Sequence, residues 1–319
     1  MLQKKVLYIR SCYITNMKKL LLIVTIFFSL YSSGQSPMFK LIAKRASAAP
    51  YTYILDSLTT DTAQTAYSFR KLREGYSGSC IRVRESGGNT EQDINFVDNF
   101  LDTASMKTFV GANSGYIVTI YDQTTNARDA TNSTAGEQPR IINAGAVEYD
   151  NGHVAARWLG AGYKLSTTAY TAYPDSMTSN FVMRVVSGVS FNASVTKTTT
   201  NRGYPLDAWT QRVFSSNGTS STSLLMTTSF NLPTSGGTWT AKVKTASADG
   251  IKSWFNGSTN GSALSAYYTD GSVPLIIGSR ADGATSFNGY FFEAITFSAI
   301  SETELLDGLH ANQMNYYGY

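Results

Sequence analysis

The chain has 319 residues, 42% hydrophobic and only 15% charged. That apolar fraction is enough to bury a core and excludes a disordered tail. The charged fraction lies below the ~25% usual for soluble domains, with Ser, Thr, Asn and Gly in its place. With 20 Tyr and 16 Phe beside many β-branched residues, helical bundles and coiled coils are excluded and an extracellular β-rich protein is indicated.

Residues Met17 to Gly34 read as a secretory signal peptide. Lys18 and Lys19 form its basic start, Leu20 to Leu30 its apolar stretch, and Ser32 and Gly34 the small residues before a cut. Eleven residues at ~1.5 Å rise reach about half of a ~30 Å hydrocarbon core, so cleavage is expected and no stable membrane insertion after it. Met17 followed by two lysines also resembles a start codon, which would place residues 1–16 upstream of the protein. The expected organisation is a signal peptide at 1–34, a polar and basic lead-in at 35–49 and a sandwich domain at 50–319.

The leader carries 5 of the 26 basic residues and none of the 22 acidic ones, so its removal changes the net charge from +4 to −1. No basic patch is then left to argue for nucleic acid or anionic lipid as a partner. Cys12 leaves with the leader, so Cys80 is the one remaining thiol. An internal disulfide and a zinc–thiolate cluster are both excluded, and two histidines, His153 and His310, argue against a His-based catalytic metal site.

Along the domain, Asp98–Val110 predicts a helix with Phe100, Leu101, Ala104 and Phe109 near one face. Strands are then expected at Tyr116–Tyr121, Phe181–Val186, Ser223–Phe230, Thr238–Lys244, Ile251–Phe255, Leu275–Ile277 and Tyr290–Phe297, all short and β-branched or aromatic. Asn256-Gly257, Asn260-Gly261, Asp270-Gly271, Asp282-Gly283 and Asn288-Gly289 punctuate them as hairpin turns. Ser301 with Glu304 three positions later opens a closing helix to Tyr316 through a capping box. Strand after strand at this spacing means an all-β fold of two antiparallel sheets with short helices, one of them C-terminal.

Several blocks carry a family resemblance. Ala66–Arg84 (AYSFRKLREGYSGSCIRVR), Gln92-Asp93-Ile94, Ile120–Ala130 (IYDQTTNARDA), Val273–Arg280 (VPLIIGSR) and Asn288–Phe297 (NGYFFEAITF), then Asn315-Tyr316-Tyr317, resemble the catalytic domain of α-L-arabinofuranosidase B, glycoside hydrolase family 54. The resemblance spans roughly residues 50–317, with a poorly matching middle. It implies a concanavalin A-like jelly-roll sandwich. It also places Asp282 at the family's acid/base position, because Asp282 follows Leu275–Gly278 and precedes Tyr290–Glu293. The family's nucleophile, a glutamate in a Gly-Asn-Ala-Glu motif after a vicinal cysteine pair, has no counterpart: Ser176 to Leu206 holds no acid and no cysteine follows Cys80. A retaining glycosidase needs two carboxyl groups about 5–5.5 Å apart. No catalytic residue is therefore assigned, although Asp175, Asp207 or Glu148 could substitute from another strand.

The candidate ligand-binding residues are Asp282, Arg280, Asp122, Tyr267 and Tyr268. Asp122, at a strand end, reads either as a sugar or calcium contact or as a turn carboxylate bonding backbone amides, and the turn is favoured. Asp93 has the same two readings. No cofactor is expected other than calcium, for which Asp93, Asp122 and Asp282 are the oxygen ligands to test. Trp209, Trp239, Trp254, Tyr267 and Tyr268 could stack on pyranose rings, but Trp254 is expected in the core, and one of Tyr267 and Tyr268 should point outward. Cys80 reads as a small buried hydrophobe, and neither histidine is given a role.

The expected function is a secreted carbohydrate-binding or adhesion module without turnover, with a polysaccharide or cell-surface glycan as partner. A glycoside hydrolase of arabinofuranosidase type is the alternative. A structural surface or virion-associated protein is a third, which the signal peptide disfavours. N-terminal sequencing of the secreted chain should start at Gln35, and a chain that retains Leu20–Leu30 would contradict the leader.

Overall fold

A computed structural model describes residues 51–319 apart from 61, 161, 187–193, 198–205, 208–211, 217–220, 226–235, 245–249, 264–270 and 279–286. The chain separates into two units, 1–52 and 53–319, and the second carries every described element. It is all-β and antiparallel, closed by a C-terminal helix. Gly115–Ile120, Ser176–Val185, Gly237–Lys244, Ile251–Phe255, Leu275–Gly278 and Asn288–Phe297 form strands where apolar and β-branched residues predict them. Ser221–Leu225 also pairs as a strand, while the rest of the stretch expected at 223–230 lies outside the described residues.

The antiparallel sheets of the expected sandwich are hydrogen-bonded into one continuous 16-stranded sheet, beside three small ones, among the described residues. The cause is the ten-residue strand Asn288–Phe297. Ser176–Val185 pairs along one of its edges. Along the other, Ala156–Leu159 pairs with its first residues and Ala63–Ser68 with its last. One strand therefore joins both halves of the jelly roll. Gly289 lets it do so, because a Cβ there would run into the Arg184 carbonyl and the Phe287 ring. The enclosed core gathers Tyr67, Ile81, Ile117, Trp158, Phe181, Trp239 and Phe291.

Turn chemistry explains three further differences. Asn256-Gly257 closes the expected hairpin, with φ of 43° and 78° at the two residues. Asn260-Gly261 and Asn288-Gly289 instead lie inside strands Ser258–Ala263 and Asn288–Phe297; register, not the dipeptide, decides there. Asp270 and Asp282-Gly283 lie outside the described residues. The helix expected from Asp98 begins only at Thr103. Asp98 and Asn99 adopt φ of 47° and 72° and turn a hairpin between Phe96–Val97 and Phe100–Leu101. Asp102 then caps Thr103–Val110, accepting the Ser105 N–H at 3.0 Å. The buried face is Met106 and Val110 rather than the predicted set.

The closing helix starts as its sequence predicts. The Glu304 N–H donates to Ser301 Oγ at 3.1 Å, and the Ser301 hydroxyl donates to the Glu304 carboxylate at 3.0 Å. A π-helical stretch, Glu304–His310, runs into α-helix Ala311–Tyr317, which ends at Gly318 with φ 76°. It packs on the outer face of the sheet, where Leu305 and Leu309 meet Trp254, Ile295 and Phe297.

His310 locks this contact. Its Nδ1 accepts the Gly257 N–H at 3.0 Å, so the ring proton sits on Nε2, which donates to Thr240 Oγ1 at 2.7 Å. Burial lowers its pKa to about 4. An unfolded chain takes up this proton below ~6.5 whereas the folded one refuses it until about 4, so stability rises with pH across that window. Acidification from pH 7 to 4 should cost about 3 kcal/mol through this group. Urea titrations should show that His310→Gln is less stable at pH 7 yet loses less between pH 7 and 4; an unchanged pH slope would remove His310 as the cause.

Candidate functional site

Asp282, Arg280, Tyr267 and Tyr268 lie outside the described residues, as does Trp209. Trp239 and Trp254 are core residues. Cys80 is buried, with its pKa pushed up by burial.

Asp122 is 2% exposed, and its carboxylate accepts the N–H groups of Ala66 (2.8 Å), Thr124 (3.0 Å) and Arg128 (2.9 Å) and the Thr124 hydroxyl (2.8 Å). It organises the Tyr121–Ala130 loop, and burial raises its pKa despite those bonds. Asp93 accepts two bonds from Arg82, both 2.8 Å, and one from the Tyr121 hydroxyl at 2.6 Å. The Arg82 hydrogen bond holds the Asp93 carboxyl below its usual range. Oxygens already filled by N–H and O–H donors do not fit a calcium ligand set. Among the described residues no group of three or more His, Cys, Asp or Glu is placed to hold a metal. Of the substitute carboxylates, Glu148 is ion-paired to Arg140 at 2.6 Å.

Among the described residues one ion pair, Arg70 with Glu293, is almost wholly buried, at 2% and 0% exposure. Arg70 follows strand Ala63–Ser68, and Glu293 sits in the middle of Asn288–Phe297 on the face under the C-terminal helix. Arg70 Nε and Nη2 donate to the two carboxylate oxygens at 2.8 and 3.2 Å. Ser68 Oγ (3.0 Å), Gln313 Nε2 (2.9 Å) and Tyr317 Oη (3.1 Å) complete the set. Burial works to raise the Glu293 pKa, but the Arg70 charge and these donors overcome it and hold the carboxyl below its usual range.

Above Arg70 opens a pocket of about 160 Å³. Its guanidinium lies 4.3 Å from the centre of the Tyr316 ring and 5.3 Å from that of Tyr317. Phe100 stacks on Tyr316 with centroids 6.1 Å apart and planes 9° from parallel. His153 packs at 4.6 Å from Tyr316 and 5.2 Å from Tyr317. Two tight turns and a helix end bring these residues together. The Asp98-Asn99 hairpin carries Phe100. A second hairpin, with φ of 47° and 79° at Asn151 and Gly152, pairs Tyr149–Asp150 with His153–Val154. The end of the C-terminal helix supplies Tyr316, and Asn151 Nδ2 donates to the Tyr317 carbonyl at 2.6 Å. Tyr149 and Phe100 form the rim, 52% and 40% exposed.

Near neutrality the pocket's one charge is that of Arg70, which Glu293 balances from within the protein. Burial, and then Arg70, lowers the His153 pKa. Burial likewise pushes the Tyr316 phenol up to about 12. Sequence reasoning did not assemble this site. The Asn151-Gly152 pair was a readable hairpin signal, and Tyr316-Tyr317 stood out only as part of a family block.

No family model and no curated protein matches the chain. Solved structures do. A GH54 α-L-arabinofuranosidase soaked with a cyclic sulfate inhibitor is 15% identical with a TM-score of 0.56, covering 78% of this chain and 61% of its own. A glutamate-to-glutamine mutant of a GH54 enzyme, soaked with 4-nitrophenyl α-L-arabinofuranoside, is 17% identical with a TM-score of 0.56 and 62% of its chain covered. An arabinofuranosidase complexed with arabinofuranosyl-α-1,2-xylobiose is 15% identical with a TM-score of 0.50 and 61% covered. This chain thus spans about 61–62% of the length of those chains, and at such identities the likeness is one of fold. The jelly roll implied by the sequence blocks is the fold observed.

The Arg70–Glu293 pair makes a sharp stability prediction. Glu293→Gln leaves a buried guanidinium without its counter-charge and should cost about 3–5 kcal/mol in chemical denaturation. Replacing both residues by apolar ones, Arg70→Met with Glu293→Leu, should cost less than the single change. Equal or greater loss in the double variant would mean that the pair matters through shape alone.

Proposed function

We propose that the chain is a secreted carbohydrate-binding module that holds a polysaccharide or cell-surface glycan without cleaving it. The observation that carries this reading is the jelly roll shared with arabinofuranosidases, one of them solved with an arabinofuranosyl xylobiose, over 78% of the chain. The described acids support binding over turnover. Asp122 and Glu293 spend their oxygens on backbone and side-chain donors, and Glu148 is held by Arg140. Glu85 accepts the N–H groups of Gly87 and Gly88 at 2.5 Å each. A pair of free carboxyls at glycosidase spacing would have to draw on other residues. In this reading Asp282, Arg280, Tyr267 and Tyr268 supply the sugar contacts: the carboxylate and guanidinium bond sugar hydroxyls and a tyrosine ring covers an apolar sugar face.

Depletion assays with insoluble arabinoxylan, run beside release of nitrophenol from 4-nitrophenyl α-L-arabinofuranoside, test this. The mature chain should be retained on the polysaccharide and release no nitrophenol. Asp282→Asn should weaken retention about ten-fold with the melting temperature kept. Nitrophenol release that disappears in Asp282→Asn would replace this reading with a glycosidase, and failure to bind any member of a glycan array would end it.

A further inference from the structure

The pocket under the Tyr149 and Phe100 rim lies on the helix-covered side of the sheet, with Phe69, Arg70, Tyr316 and Tyr317 drawn from blocks of the family resemblance and Phe100, Tyr149 and residues 152–154 from outside them. We infer that it is a binding site for a single neutral glycosyl residue, built without any of Asp282, Arg280, Tyr267 or Tyr268. The inference rests on the carbohydrate-binding reading for its choice among neutral ligands; the pocket's own chemistry sets the rest.

Charge decides the ligand class. Aromatic walls often hold organic cations, which need an unoccupied ring face. Here Arg70 already sits over Tyr316 at 4.3 Å and Phe100 stacks on the same ring, so Tyr316 has no open face to offer a second cation. An anion fares no better, because Glu293 neutralises Arg70 through two hydrogen bonds from within the protein. His153, held below its usual pKa, adds no positive charge at pH 7. A ligand without net charge is what remains.

Shape and polar tips narrow it further. Phe69, Phe100, Tyr149 and Tyr316 give apolar walls. Among the described residues none hydrogen-bonds the Tyr149 hydroxyl, the Tyr316 hydroxyl or the His153 ring, so each is available to a ligand, and neutral His153 both donates and accepts. A sugar ring has the matching two-sided character, with C–H groups for an aromatic face and hydroxyls for these tips. A volume of about 160 Å³ is below the ~300–1,000 Å³ of sites for larger ligands, which fits one ring. The walls are also well fixed, since Arg70 is anchored by Glu293 and the 149–154 hairpin by Asn151. A pocket ordered in advance loses less entropy on binding.

The two histidines make the test direct. In the imidazole region of the NMR spectrum His153 reports the pocket, and buried His310 serves as internal reference. Titration with methyl α-L-arabinofuranoside, methyl β-D-xylopyranoside and methyl β-D-galactopyranoside should shift the His153 signals saturably for at least one of them, with His310 unmoved. Choline and benzoate, the cationic and anionic probes, should leave both in place. Tyr149→Ala and Phe100→Ala, at exposed positions, should each weaken the effective glycoside by roughly two- to ten-fold with the melting temperature retained. The proposal fails if no glycoside moves His153, if choline or benzoate does so instead, or if both alanine variants bind the glycoside as the parent does. Arabinoxylan retention with a silent His153 would overturn the pocket and leave the functional reading standing. A glycoside-responsive His153 in a chain that binds no polysaccharide would do the reverse.

Discussion

The buried pair of Arg70 and Glu293 is the point at which the elements of this domain are tied to one another. Taking both charges out of water carries a penalty of several kcal/mol per ion, which is offset only when geometry is good and every remaining oxygen finds a donor. Here the carboxylate receives five hydrogen bonds, from Ser68, Arg70 (two), Gln313 and Tyr317. Those donors come from the first strand, the segment after it and the last helix. Removing any one element would strand a charge in the interior, so strand Ala63–Ser68, strand Asn288–Phe297 and the C-terminal helix hold their positions together.

A polar layer extends this constraint along the helix. Asn180 and Gln313 exchange amide hydrogen bonds, Nδ2 to Oε1 at 3.1 Å and Nε2 to Oδ1 at 2.6 Å. His310 bridges Thr240 and the Asn256-Gly257 turn. An interface of leucines alone would tolerate sliding. Buried amides and an imidazole do not, because a shift of one residue would leave them unpaired in a dry environment. The helix therefore has one register on the sheet, and Tyr316 and Tyr317 are delivered to one place.

That placement is what connects stability to the proposed chemistry. Arg70 is at once the partner of Glu293 and the base of the pocket, lying against the Tyr316 ring. Its neutralisation from below makes the pocket a site for uncharged ligands, and the burial of His153, with Arg70 beside it, lowers the basicity of that histidine. By contrast, Asp122 and Asp93, two of the acids named as calcium ligands to test, are consumed locally. The first shapes its own loop and the second is clamped by Arg82 and Tyr121.

Local chemistry alone accounts for much of what the sequence determined. β-Branched and aromatic runs specify strands such as Ile251–Phe255 because side chains of that shape suit a pleated surface, and Asn256-Gly257 specifies its hairpin because both residues accept positive φ. The favoured turn role of Asp122 was likewise readable from its own neighbours. Tertiary structure decided the remainder. Asn260-Gly261 and Asn288-Gly289 carry the same turn signal yet lie within strands, since pairing partners distant in sequence outweigh a two-residue preference. It also decided the pocket, whose walls come from positions 69–70, 100, 149–154 and 316–317. No local pattern links those four segments. The buried Arg70–Glu293 pair fixes Arg70 and Tyr317, and the two hairpins bring Phe100 and residues 149–154 up to them.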